Sequence, residues 1–367
     1  MHTTRRFLFA LILLLPAAAP AQRAESFGFD HAGLRYGGVI ERPADSEPAG
    51  MVVIIPGHGC TDVVDGTQYR TFRDRLTEWG WAVALWDRAG CGGSEGEYDH
   101  DQSVHGSAAE AVSAVRALRE TGAPGSGNLG FYSFSRGSWI APLAMRELDD
   151  IAFWITVSGP NRLENYPYML RTNWRLRGRS AAETELLVDE WITHYRMLHR
   201  PGVDYATYVG ATGNLFADEW FVDEFYDRPT RKEFAAIQAE KRAMDVRFDP
   251  ETGIEIKAPG FAEVLSALDL DTLAIFGEKD TLVNWRRTRA LYRRTLGEDP
   301  ESELTVRVLP DCSHGTRVVE SGARGEDLSA DGLGQRCPGL YPAIEAWLAE
   351  RGRAPKHSQP SLSSARR

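Results

Sequence analysis

No stretch of this chain restricts its fold more than Asn128 to Leu143, NLGFYSFSRGSWIAPL. It reads as a short apolar strand, a tight turn and a helix. The turn Ser133-Phe134-Ser135-Arg136-Gly137 is one residue short of G-x-S-x-G, in which a sharp strand-to-helix corner lifts a serine hydroxyl above the sheet edge. The positions two before and two after the raised serine pack so closely that only small residues fit. Ser135 has Ser133 and Gly137 there, whereas Ser133 would put Phe131, and Ser138 would put Arg136, into the crowded place. Ser135 is therefore the candidate nucleophile. A serine at such a corner can also be a plain helix N-cap, so the assignment depends on what else the chain supplies.

Around this corner the sequence alternates between strand and helix. Phe27 to Asp30 and Leu34 to Glu41 flank a turn at His31-Ala32-Gly33 and predict an antiparallel hairpin. Met51 to Ile55 is apolar without alternation, as expected of a strand buried on both faces, and it ends in Pro56-Gly57-His58-Gly59. Tyr69, Phe72, Leu76 and Trp79 recur at helical spacing before a second buried strand, Trp81 to Trp86. That strand closes on Asp87-Arg88-Ala89-Gly90-Cys91-Gly92-Gly93-Ser94. Ala108, Val112, Val115 and Leu118 predict another helix, and Ile151 to Val157 a further strand. The pattern fits an α/β fold with right-handed crossovers and a mostly parallel sheet.

After Gly159-Pro160 the alternation stops. The sequence from Asn161 to Ala267 is charged and aromatic with no run resembling a buried strand, and it reads as a helical insertion. Strands resume at Leu273 to Phe276, before Gly277-Glu278-Lys279-Asp280, and at Leu304 to Leu309, before Pro310-Asp311-Cys312-Ser313-His314-Gly315. A helix around Tyr341 to Glu350 closes the core. At the front, Arg5 and Arg6 precede the apolar run Phe7 to Leu15 and an Ala19-Pro20-Ala21 cleavage pattern, the layout of a signal peptide. The expected organisation is thus a signal peptide at 1–21, core at 22–160, helical lid at 161–267, core again at 268–352, and a disordered tail at 353–367. Export to the periplasm or beyond is expected, with no stable membrane anchor after cleavage.

The formal net charge of −10 repels nucleic acid and anionic membranes, so neither is an expected partner. Oligomeric state is not readable. No cofactor is expected, because a G-x-G-x-x-G match starting at Gly90 needs glycine where Glu95 stands. No metal is expected either: His194 and His199 lie five apart with no H-E-x-x-H context. The four cysteines show no C-x-x-C spacing, and an oxidising compartment suits disulfides. Cys60 and Cys91 each follow an early strand and Cys312 and Cys337 bracket the His314 loop, so the expected bridges are Cys60–Cys91 and Cys312–Cys337.

Ser135, Asp280 and His314 each follow a strand, and residues just after parallel strands gather at one sheet edge. Serine, acid, histidine is the chain order of the α/β-hydrolases, and the resemblance covers most of the chain after the signal peptide. Pro56-Gly57-His58-Gly59 resembles that family's oxyanion loop, Asp87 to Ser94 its DRRGxGxS turn, Ser133 to Leu143 its GxSxGGWIAPL elbow, Phe276 to Asp280 its acid loop, and Ser313-His314-Gly315 its histidine loop. The branch it looks most similar to is that of exported esterases and serine-aminopeptidase-like proteins with a helical lid. Departures are Ser133 and Ser138 in place of elbow glycines, Ala89 in place of arginine, and Pro56-Gly57 where the family carries His-Gly. The resemblance implies Ser135 as nucleophile, His314 as base, Asp280 as its orienting acid with Asp311 as rival, and an oxyanion hole from the backbone N–H groups of Arg136 and His58. It implies a small-molecule ester or short peptide as substrate. Esterase is the first reading, peptidase the second, and a non-catalytic hydrolase-fold binding protein the third. Halide-releasing and epoxide-opening relatives place aspartate where Ser135 stands.

Overall fold

A computed structural model describes residues 23–352 except 65, 243, 245, 298–301, 327 and 330–331. The expected signal peptide at 1–21 and tail at 353–367 lie outside the described residues. One eight-stranded sheet organises the rest. Its strands are β1 (Arg23–His31), β2 (Leu34–Arg42), β3 (Met51–Ile55), β4 (Ala82–Trp86), β5 (Leu129–Phe134), β6 (Ile151–Val157), β7 (Asp271–Gly277) and β8 (Leu304–Leu309). They lie in the order β1-β2-β4-β3-β5-β6-β7-β8. The β1/β2 and β2/β4 pairs are antiparallel and every other pair is parallel, so the sheet is mostly parallel, as expected.

The central strands are apolar on both faces because both faces are covered. Every residue of β3 and β4 is buried, and each such Val, Ile or Leu contributes about 1.5–3 kcal/mol by leaving water. On one face lie α2 (Val104–Glu120), α3 (Gly137–Met145) and α10 (Trp285–Thr295), with Ala111, Val115, Ile140 and Leu291 in the core. On the other lie α1 (Arg70–Glu78) and α11 (Leu340–Arg351), with Phe72, Leu76, Ile344 and Trp347. A buried ion pair not foreseen from the sequence joins α1 to β2: Arg73, with its side chain 1% exposed, meets Glu41 on Nε at 2.9 Å and also donates to the Val63 carbonyl.

Between β6 and β7 the described residues form helices and no strand of the sheet: α4 (Tyr166–Leu176), α5 (Ala181–His199), α6 (Tyr205–Ala211), α7 (Glu219–Glu224), α8 (Arg231–Lys241) and α9 (Phe261–Ser266). Ser180 with Glu183 and Thr230 with Glu233 form capping boxes that start α5 and α8, satisfying N–H groups the first turn leaves unpaired. The insertion has its own apolar cluster, including Leu170, Trp174, Val188, Trp191, Leu215 and Phe221. Ala258 and the α9 residues Phe261, Val264 and Leu265 already belong to the main core, so packing against the sheet resumes before β7.

Candidate active site

Parallel strands deliver their following loops to one edge, and three such loops meet around Ser135. Its Oγ lies 2.8 Å from His314 Nε2, and His314 Nδ1 lies 2.9 Å from Asp280 Oδ2. The second carboxylate oxygen, Asp280 Oδ1, accepts the Leu282 and Val283 N–H groups at 2.9 and 2.8 Å. Asp280 is 2% exposed, so this carboxylate is fixed by three bonds in a dry place. Asp311 stands apart: its side chain is 63% exposed and pairs with Lys279 at 2.6 Å.

Ser135 sits at φ 49°, in the left-handed region that strains any residue with a Cβ. Crowding beneath it follows the steric argument made from the sequence. A Cβ on Gly137 would lie 2.4 Å from the Ile55 carbonyl oxygen, which no side chain tolerates. Ser133 is fully buried and hydroxyl-bonded rather than glycine-like: its Oγ accepts from Trp154 Nε1 at 2.8 Å and meets Ser138 Oγ at 2.9 Å. Ser138 in turn accepts from Thr156 Oγ1 at 2.8 Å. Ser133 and Ser138 thus form one buried network under the elbow.

The histidine loop is held from several sides. Ser158 Oγ donates to the His314 carbonyl at 2.7 Å, the Phe134 ring packs 5.3 Å from the imidazole, and Cys312 is bridged to Cys337. A Cβ on Gly277 would lie 2.3 Å from the Ser313 carbonyl oxygen, so the acid and histidine loops touch backbone to backbone. From the insertion, Tyr168 donates its hydroxyl to the Asp280 carbonyl at 3.2 Å. Ser158 and Tyr168 escaped the sequence reading, and only the tertiary fold brings them here.

The Pro56 to Cys60 loop flanks the elbow on the other side, and Cys60 is bridged to Cys91. Burial lowers the His58 imidazole to about 4, with His100, Arg136, Arg88 and Lys257 adding to the shift, so it is neutral near pH 7. Neither the His58 nor the Arg136 N–H meets a carbonyl or side-chain acceptor among the described residues. Asp87 accepts the Val63 N–H at 2.7 Å and the Gly93 N–H at 3.0 Å, which accounts for the glycine cluster as loop geometry.

Lys257 lies within electrostatic reach of His58. Its Nζ is 2.8 Å from Glu255 Oε2 and 3.3 Å from Glu164 Oε2. Burial works against its charge, but the two carboxylates outweigh it and hold its pKa above the ordinary lysine value. Glu164 Oε1 is also occupied, by the Asn165 and Tyr166 N–H groups at 2.7 and 3.1 Å, and Glu255 accepts the Tyr195 hydroxyl. Of the other insertion carboxylates, Glu224 pairs with Arg324 and Glu219 faces solvent. Among the described residues, no group of histidines, cysteines and carboxylates is arranged to hold a metal ion.

No protein-family profile and no curated protein matches the chain. Solved structures do. A candidate dipeptidyl aminopeptidase IV from Bacteroides ovatus is 12% identical over 91% of this chain and 36% of its own length, with a TM-score of 0.51. DcsB, solved with a substrate analogue, is 12% identical over 90% of this chain and 100% of its own, with a TM-score of 0.50. An esterase from Pyrococcus furiosus is 14% identical over 90% of each chain, with a TM-score of 0.49. At such identities the likeness is one of architecture: the chain has the α/β-hydrolase fold.

Proposed function

We propose that this α/β-hydrolase-fold chain is an exported serine hydrolase that cleaves carboxylic esters through an acyl-enzyme, with the α4 to α8 part of the insertion as a lid. The observation that carries the reading is the unbroken hydrogen-bond chain Ser135 Oγ, His314, Asp280, at 2.8 and 2.9 Å. A neutral serine is a weak nucleophile, so His314 Nε2 takes its proton as Oγ attacks the ester carbonyl carbon. Asp280 keeps the Nδ1 proton in place and stabilises the imidazolium. The carbonyl oxygen becomes an oxyanion between the Arg136 and His58 N–H groups, at the positive end of α3. Collapse expels the alkoxide, which leaves with the proton from His314. Water, deprotonated by the same nitrogen, then attacks the acyl-enzyme, releasing the acid and restoring Ser135.

The Lys257 pairing favours ester over aminopeptidase chemistry. A peptidase that reads a free N-terminus needs an acidic pair for the ammonium, and Glu164 and Glu255 already hold one. Export agrees with the two disulfides, which persist in oxidising compartments. No helix among the described residues is long and apolar enough to cross a membrane.

Nitrophenyl esters of graded chain length, run beside aminoacyl nitroanilides and a fluorophosphonate probe, test the reading. Ester turnover with labelling of Ser135 is expected. Faster nitroanilide cleavage would make the protein a peptidase, and absence of both turnover and labelling would leave a binding protein.

A further inference from the structure

Arg88 follows β4 and is held against the Pro56 to Cys60 loop. The residue is buried, 8% exposed, and its guanidinium lies against the Pro56 to Cys60 loop. It donates to three carbonyls of that loop, those of Pro56 (at 3.1 Å), Gly57 and Gly59. Its own N–H donates to Thr61 Oγ1 at 2.7 Å, and the neighbouring Cys91 is bridged to Cys60. The loop and the Asp87 to Ser94 turn are therefore one unit.

We propose that Arg88 is the positioning residue of the oxyanion hole: by fixing the Gly57 carbonyl it turns the His58 N–H toward the oxygen of the scissile carbonyl. This rests on the serine hydrolase reading above. The link is the planarity of the peptide. In a trans peptide the C=O of one residue and the N–H of the next point in opposite directions, and the chain has no cis peptide bond among the described residues. With the Gly57 carbonyl drawn to Arg88, the His58 N–H faces away from it. With the Pro56 carbonyl drawn the same way, the Gly57 N–H faces away too, within electrostatic reach of the Tyr69 phenol. The His58 N–H has no such acceptor. The Gly59 and Cys60 N–H groups likewise meet no acceptor among the described residues, and the oxyanion reading selects His58 among the three.

The residue type matters. A planar fork with five N–H groups can serve several carbonyls at once, whereas a lysine ammonium cannot hold the same spread. The guanidinium also places a positive charge behind the Gly57–His58 peptide, reinforcing its dipole. Arg136 lies on the same side, with its guanidinium bonded to Ser107 Oγ at 3.2 Å.

The test compares an ester with its thionoester, whose sulfur is a poor acceptor from an oxyanion hole. Wild type, Arg88→Gln and Arg88→Lys are assayed on both, alongside the rate of fluorophosphonate labelling and a near-UV circular dichroism spectrum. The expected result for Arg88→Gln is a preference for ester over thionoester reduced about tenfold or more, with labelling slowed comparably and KM changed by less than about threefold. Arg88→Lys is expected to fall between. A folded variant that keeps the wild-type preference overturns the proposal, and if Arg88→Gln does not fold, Arg88→Lys is judged by the same criterion. Because phosphonylation also builds charge in the hole, a wild type that labels but cleaves no ester sinks the esterase reading alone. The labelling rates then decide the role of Arg88.

Discussion

Ser135 is held in a left-handed conformation, which costs a non-glycine residue of order 1–3 kcal/mol and survives only where neighbours enforce it. Those neighbours are Gly137 and the buried Ser133, Ser138, Thr156 and Trp154 network. Ser135→Ala is expected to abolish fluorophosphonate labelling. Ser133→Ala should still label, yet lose about 1–3 kcal/mol of stability because the Trp154 N–H is left buried without an acceptor; labelling measured beside a denaturant melt checks both. Asp280→Asn and His314→Ala should each lower turnover by on the order of 10³ or more, and Asp311→Asn far less. If Asp311→Asn were the more damaging acid change, the solvent-facing carboxylate would be the partner after all. Ser135, Asp280 and His314 could be picked out in the sequence because each follows an apolar run in a fixed order. Ser158 and Tyr168 could not, since a hydroxyl that bonds a carbonyl 156 or 112 residues away leaves no local pattern.

Among the elements, the buried strands were readable from unbroken apolar runs, and β6 and β8 have the bounds their sequence predicts. The insertion was harder. Its helices pack rings against one another, as in the stacked pair Tyr166 and Trp191 and the buried pair Tyr208 and Phe234, so their apolar positions follow several neighbours rather than one face. Within it His194 is 2% exposed, between Tyr208 Oη at 2.9 Å and Tyr226 Oη at 3.2 Å, with Phe216 and His199 beside it. Burial, then the charge of His199, pushes it down to about 3. The unfolded chain therefore takes up this proton first, so the stability present above about pH 6.5 is lost progressively toward pH 3. Melting temperatures of wild type and His194→Gln across pH 7 to 4 should show the steeper decline in wild type; parallel curves would remove His194 as the cause. The Cys312–Cys337 bridge closes a separation of 25 residues around the histidine loop. Replacing both cysteines with serine should cost about 3.5 kcal/mol by loop entropy, and an unchanged denaturant midpoint would show the bridge to be dispensable.

Across the whole molecule, the site is assembled from segments that begin at Pro56 and end at Cys337, and the insertion is tied to the core around it by charge. Lys241 reaches Asp101 at 2.6 Å, Arg324 reaches Glu224, and Lys257 joins the segment after β6 to the returning segment before α9. A chain of net charge −10 thus places Lys241 and Arg324 where the insertion meets the core. This distribution was invisible in the sequence, because a lysine among acidic residues reads as a solvated surface until the fold shows which carboxylates surround it. Lys257 gives the arrangement a consequence for selectivity. In Lys257→Met the Glu164 and Glu255 carboxylates lose their internal ammonium, and, if they face the substrate, a substrate amine can replace it. The side chain of Lys257 is 29% exposed, so water already weakens the pairing and the effect should be moderate. The expected outcome is a rise of about tenfold, near 1.4 kcal/mol, in kcat/KM for an aminoacyl ester relative to its N-acetylated counterpart. Wild type should favour the acetylated ester. Equal ratios in the two proteins would show that these carboxylates brace the insertion without facing the substrate, and the preference for esters would then need another source.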